Sequence, residues 1–415
     1  MNAMVLKRST LAVCSLALAL AAALLVGAPR AWGEVKVALQ EHRTWEFKSA
    51  GVRFNNQFAG ARLNECEQVG DRTFRIVIRP EKAPINNSAW YAFQVVSRKP
   101  QFITVRLAYE NGAHRYHPKA SSDGKVWLPL AESQYHVDAA TKEAVLTLGV
   151  GPKPLWVAGQ EMFVNADFAK WMSKVDKARF VKKKTIGRSM RGEPIQQLEI
   201  SESAPPNYVF IVGRQHPPEV TGTMGLMAFV ETICGDSELA KSFRKQFRTA
   251  VVPLMNPDGV REGHWRLNLG GVDLNRDWKN FAHPETQVVR AEILRLAEQP
   301  GAKPFLLLDF HSTHHDVFYT QPKDAKMFPA DFTEHWLESI KTRFPDYKLA
   351  RSGDHNPNMG TSKGWGYEQF HIPAITYEFG DNTDRELIRK ISTGAAEEMM
   401  RTLLAAVNAP APSAR

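Results

Sequence analysis

From Glu34 to about Phe168 the chain runs as short alternations of apolar and polar residues broken by turn formers. Thr73–Ile78, Trp90–Val96, Phe102–Leu107, Val126–Leu130 and Ala144–Leu148 have the alternation and the β-branched or aromatic content of strands. Ala83-Pro84-Ile85-Asn86-Asn87 and Ser121-Ser122-Asp123-Gly124, between them, carry turn chemistry. Several short strands with no long helical pattern predict an all-β sandwich over residues 34–165. It shows no repeat, no low-complexity segment and no cluster of ligand residues, so its expected role is packing or control of substrate access.

After Asn165 the texture changes. Val181–Gly187, Gln196–Ile200, Tyr208–Gly213, Thr249–Met255, Phe305–Phe310 and Ala374–Phe379 read as strands. Ala166–Lys177, Thr221–Cys234, Glu285–Glu298, Phe332–Phe344 and Arg385–Val407 have helical spacing. Alternation of this kind predicts an α/β domain over residues 166–408, a mixed central sheet with helices on both faces. Such sheets bind ligands outside the carboxyl ends of their strands. Residues 409–415, Pro- and Ala-rich, read as a disordered tail.

The 415 residues, 43% hydrophobic and 23% charged, suffice for one large or two moderate globular domains. The first 33 residues have the order of a secretory signal peptide: basic Lys7-Arg8, an apolar run from Leu11 to Val26, then Ala31-Trp32-Gly33. Its apolar run approaches spanning length, so an uncleaved anchor is the alternative. Cleavage predicts an exported protein, periplasmic or secreted from a bacterium, with no stable membrane insertion. Loss of Lys7, Arg8 and Arg30 lowers the formal net charge from +9 to +6. No basic run with interleaved aromatics points to nucleic acid. Cys66 and Cys234 remain, either paired or free.

The candidate chemistry falls at the predicted strand ends. His216 and Glu219 follow the Tyr208–Gly213 run, and imidazole with carboxylate is what a catalytic zinc site takes. The pair alone is weak; His311, after the Phe305–Phe310 run, supplies a third ligand, with His314 and His315 as rivals nearby. Glu378 is a carboxylate inside an apolar strand, costly unless paired or working, and desolvation there suits a general base. Arg266 offers charge to a developing oxyanion. Asn275 and Arg276 together offer the donor fork a carboxylate prefers.

Taken together, His-x-x-Glu (216–219), Asn-Pro-Asp-Gly (256–259), Asp-Leu-Asn-Arg (273–276), Asp-Phe-His (309–311) and Thr-Tyr-Glu-Phe (376–379) resemble the blocks of the carboxypeptidase A-like zinc metallocarboxypeptidases, in the family's order. Asn87–Phe93 and the short interval between Arg266 and Arg276 resemble the cytosolic carboxypeptidase subfamily. The resemblance implies one Zn2+ held by His216, Glu219 and His311, Arg266 polarising the scissile carbonyl, Asn275 and Arg276 holding the substrate's terminal carboxylate, and Glu378 as base. It also places Lys363, fifteen residues before Glu378, at the bottom of the side-chain pocket, which favours an acidic C-terminal residue; the same count puts Asn356 where classical members carry a mobile Tyr. The "cytosolic" of the subfamily name conflicts with the leader, and the leader decides the expected location.

The expected function is therefore zinc-dependent removal of a C-terminal residue from peptides with a free carboxylate. The same residues suit a peptidoglycan stem-peptide carboxypeptidase or amidase. Deacylation of a small N-acyl amino acid fits less well, given the full carboxylate clamp and the long β-domain. A non-catalytic peptide-binding relative is the reading from another class.

Overall fold

The computed structural model describes residues 34–408; the leader-like segment, with Cys14, and the tail 409–415 lie outside the described residues. Between Thr44 and Ala158 two sheets face each other. A six-stranded antiparallel sheet packs on a five-stranded one, in which Thr73–Ile78 runs parallel to Gln101–Tyr109. Their inner faces share one core that includes Phe54, Phe74, Phe93, Val105 and Leu146. The sandwich is the expected one, with boundary differences. Val126–Leu130 contributes only Leu128–Pro129, both exposed, because Val126 and Leu128 point to solvent. Thr44–Phe47, Val52–Asn55, Glu65–Gly70 and Leu155–Ala158 are further strands.

The second half is built on an eight-stranded mixed sheet. Its order is Val181–Arg188, Pro194–Ile200, Phe247–Val252, Asn207–Gly213, Lys303–Thr313, Ala374–Gly380, Val317–Tyr319 and Ala350–Ser352. The four central strands are parallel, and the strand next to them on either side joins antiparallel. Along Asn207–Gly213 every residue is buried, yet the period of two persists. Val209 and Ile211 enter the core packed by helices Asn165–Val175, Val220–Ile233, Phe332–Arg343 and Arg385–Asn408, whereas Tyr208, Phe210 and Val212 enter the core under helices Pro284–Ala297 and Ser362–Phe370. Burial on both faces is what makes the strand apolar throughout.

Three helices were not expected, the shortest being Pro257–Arg261, where Asn-Pro-Asp-Gly reads as a turn and instead starts a helix capped by the Asn256 side chain. Glu238–Gln246 starts at Ser237, whose hydroxyl accepts from the N–H of Ala240. Ser362–Phe370 carries two glycines, poor helix formers. Its Gly366 lets the helix lie against Ala374 and Leu307 of the sheet. Cys66 packs on the sandwich core and Cys234 on the core of the larger sheet, and both are free thiols. Among the described residues, no helix is long and apolar enough to cross a membrane.

A close backbone approach near the strand ends is at Gly222. Its helix lies so near the Lys303–Thr313 strand that a Cβ would overlap the carbonyl oxygen of His311. Ser312 fastens the same contact, its hydroxyl accepting from the Gly222 N–H at 2.8 Å. Gly222→Ala is therefore expected to lower unfolding stability by about 1–3 kcal/mol, read from denaturant midpoints; an unchanged midpoint would contradict this packing.

Candidate active site

His216 and Glu219 lie just past the carboxyl end of the Asn207–Gly213 strand, and Glu219 caps the helix Val220–Ile233. The loop between them is tied down on all sides. Arg214 adopts a left-handed backbone (φ 51°), and its buried guanidinium donates to the carbonyls of Pro217 (2.8 Å) and Phe163 (3.1 Å) and to the Thr223 hydroxyl (2.9 Å). The Gln215 amide donates to Asp309 at 2.6 Å and accepts from the Trp278 indole at 2.9 Å. A loop held this way presents its two polar side chains in one fixed direction.

His311 was expected directly after a strand ending at Phe310. The strand in fact continues to Thr313, because Phe310–Thr313 go on pairing with Tyr377–Gly380. This register sets His311 beside Glu378, so the third imidazole-or-carboxylate ligand and the candidate base stand on adjacent strands. His314 and His315 are exposed and stay outside the cluster.

His216, Glu219 and His311 are buried, with one ligand atom from each within 4.8 Å of the others. Nδ1 of His216 lies 2.7 Å from one Glu219 oxygen, and Nδ1 of His311 lies 2.7 Å from the other. The outer nitrogens face carboxylates too: Nε2 of His216 is 2.8 Å from Asp273, and Nε2 of His311 is 2.8 Å from Asp309. An ionised carboxylate only accepts, so Asp273 and Asp309 each claim the Nε2 proton. The two Nδ1 atoms, 3.2 Å apart, then turn lone pairs toward the Glu219 carboxylate. With Nδ1 of both rings free of a proton, three electron-pair donors converge and fit a divalent cation, which takes the place of that proton; histidines backed by carboxylates are the usual support of metal ligands. Charge agrees. Burial works against a proton on His311, yet Asp309 and Glu219 outweigh it and hold its pKa well above the usual range. The same negative field attracts a metal ion.

All eight residues singled out from the sequence line one pocket of about 490 Å³: the three above with Arg266, Asn275, Arg276, Lys363 and Glu378. Asp273 links two of them, since its second oxygen accepts from Nε of Arg266 at 2.7 Å. Asn275 is held by the Ser362 N–H, which donates to its side-chain oxygen at 3.0 Å, and Arg276 donates to the Asn275 carbonyl at 2.7 Å. Lys363 is buried at the start of its helix, with Nζ 3.3 Å from the Thr320 carbonyl. Burial pushes its pKa down, with Asp354 pulling the other way. Among the described residues, neither Arg276 nor Lys363 has a carboxylate partner within 4.0 Å, unlike Arg266 with Asp273. Glu378 has one oxygen without a hydrogen-bond partner, and burial lifts its pKa to about 7 against the pull of His311.

Some of the site was not foreseen. In the sequence Asp273 and Asp309 stand only as parts of motifs, although Asp309 is a carboxylate within an apolar strand, the same signal that marks Glu378. The sandwich enters the pocket wall through Asn86, Asn87, Ser88 and Arg115. Arg115 pairs across the two halves with Asp381 at 2.8 Å.

Comparison with known proteins agrees with this geometry. The sequence profile of a family described as zinc carboxypeptidase matches residues 168–399. The chain belongs to that family. It is 22% identical over 290 residues to cytosolic carboxypeptidase 6 of Mus musculus (64% of this chain, 54% of the relative), and 26% identical over 352 residues to cytosolic carboxypeptidase 2 of Danio rerio (74% and 48%). The chain thus spans about half the length of these curated relatives. Among solved structures, a metallo-carboxypeptidase from Burkholderia cenocepacia superposes with TM-score 0.70 at 18% identity, covering 86% of this chain and 99% of that one. A metallo-carboxypeptidase from Pseudomonas aeruginosa, in complex with (2-guanidinoethylmercapto)succinic acid, gives 0.71 at 19% identity, covering 84% and 98%. The fold of this zinc carboxypeptidase family member is therefore shared with theirs, β-rich N-terminal part included.

If Asp273 and Asp309 orient the imidazoles, Asp309→Asn is expected to weaken zinc binding roughly 10- to 100-fold, measured by competition with a chromophoric chelator. Unchanged affinity would remove Asp309 from the metal centre.

Proposed function

We propose that this chain is a one-zinc carboxypeptidase that hydrolyses the last peptide bond of substrates with a free C-terminal carboxylate. The observation that carries the reading is the convergence, in one pocket, of a His-Glu-His trio, an unpaired arginine and a partly unsatisfied glutamate. His216, Glu219 and His311 are the zinc ligands. When bound there, zinc supplies Lewis acidity and acidifies water. Glu378 takes the proton of the attacking water and returns it to the leaving amine. Arg266, held by Asp273, faces the oxygen on which charge develops. Arg276 and the Asn275 amide hold the terminal carboxylate, and this clamp fixes which bond meets the base.

The second unpaired cation suggests the substrate's side chain. Lys363 lines the same pocket as Arg276, and an anionic group would offset its desolvation, so a C-terminal Glu or Asp is favoured. The leader-like segment puts the reaction outside the cytoplasm, on peptides of the bacterial envelope or beyond.

The test is hydrolysis of blocked peptides differing only in the last residue (Glu, Asp, Lys, Phe and amidated Glu), alongside muropeptides. Free Glu or Asp is expected to be released, the amide to resist, and a chelator to stop the reaction until zinc is restored. Glu378→Gln is expected to lower kcat roughly 10²- to 10⁴-fold. Lys363→Ala is expected to erase most of the preference for acidic termini; an unaltered preference would remove Lys363 as the selector. Cleavage of muropeptides alone would transfer the site to peptidoglycan, and zinc bound without any hydrolysis would contradict an enzyme.

A further inference from the structure

Arg266 sits on an irregular stretch, Trp265 to Leu269, that joins neither a helix nor a strand. Its backbone donors lack a ladder and must be satisfied otherwise. The first three, those of Trp265, Arg266 and Leu267, are satisfied by one side chain of the sandwich. Glu81, just after the Thr73–Ile78 strand, is fully buried, and its carboxylate accepts three consecutive backbone N–H groups. One oxygen takes those of Arg266 (2.9 Å) and Leu267 (2.6 Å), and the other takes that of Trp265 (2.8 Å).

Trp265 and Leu269 are docked in the same direction, whereas the Asn268 amide turns to Glu285 of the catalytic half at 3.1 Å. The Trp265 indole is fully buried in the sandwich core and donates to the Trp90 carbonyl at 3.1 Å. The Leu269 carbonyl accepts from the Lys36 N–H at 2.9 Å, and that of Glu81 accepts from Ala38 at 2.8 Å. Arg266 points the other way, into the pocket, where Nε meets Asp273. Its backbone is therefore fixed by the sandwich and its side chain by the catalytic sheet.

We propose that Glu81 is a positioning residue for Arg266, so that the sandwich completes the catalytic apparatus through one buried carboxylate. The proposal rests on the carboxypeptidase reading above. The chemistry requires an ionised carboxylate, because three N–H groups need acceptors on both oxygens. Glutamine would keep one acceptor and turn an NH2 group toward another donor, leaving at least one buried N–H unsatisfied.

The test uses the full chain and its best peptide substrate. Glu81→Gln is expected to lower kcat roughly 10- to 100-fold, the scale of a small misplacement at a reacting centre, with KM changed by less than about twofold. With Arg266→Ala already present, Glu81→Gln is expected to cause no further loss in kcat, since both act through one group. Losses that multiply in the double variant, a change in KM alone, or no change would each overturn the proposal. Hydrogen exchange of the unsubstituted protein gives a reading free of any folding defect: the amides of residues 265–267 should exchange as slowly as those of the sandwich sheets. Fast exchange there overturns the proposal too. If Glu81→Gln fails to fold, Glu81→Asp, which keeps the charge but shortens the reach, takes its place in the same cycle with the same outcomes. An unsubstituted protein that cleaves no peptide would overturn the carboxypeptidase reading itself, whereas an active one with multiplying losses overturns only the role of Glu81.

Discussion

Four carboxylates are gathered around two imidazoles: Asp309 and Glu378 within adjacent central strands, Glu219 just past the end of a third, and Asp273 on the turn before Leu274–Arg276. Removing such charges from water costs several kcal/mol each unless they are paired. Asp273 and Asp309 find partners in the outer nitrogens of the histidines, and Asp273 also in Arg266. On the inner face both Nδ1 atoms lie 2.7 Å from Glu219 oxygens, an arrangement that needs either a second proton on an imidazole or a cation in its place. A divalent cation resolves it, and the loops, the register and the close approach at Gly222 all serve to hold that inner face together.

Rigidity comes from two directions. The central sheet is buried on both faces, so the His311 and Glu378 side chains emerge from strands that have little freedom to shift. The other side of the pocket rests on the β-sandwich, which buries Trp265, accepts the N–H groups around Arg266 through Glu81, and sends Arg115 across to Asp381. Described by residues alone, the sandwich looked like an accessory. In space it is a wall of the pocket.

How much of this was legible depended on whether the signal was local. His216, Glu219, His311 and Glu378 announced themselves as polar groups at the ends of, or within, apolar runs, and the alternation of strands and helices carried the fold. The extent of the His311 strand was misjudged because Ser312 and Thr313 look like loop residues; only pairing with Phe379 and Gly380 keeps them in the sheet. The helix bearing Lys363 hid behind two glycines whose use is close packing, a tertiary fact. The helix Glu238–Gln246 carries a serine cap and a charged face, signals weaker than those of the apolar runs on either side of it. Glu81 and Arg115 gave no signal at all, since what they hold lies 184 to 266 residues further along the chain.

The central claim is that two Nδ1 imidazole nitrogens and one carboxylate form a single zinc site. X-ray absorption spectroscopy of the protein loaded with one equivalent of zinc tests it most directly. The account expects one zinc per chain, two imidazole nitrogens and only oxygen otherwise in its shell, with one imidazole lost in His311→Ala. A shell containing sulfur, or an unchanged imidazole count in that variant, would contradict it.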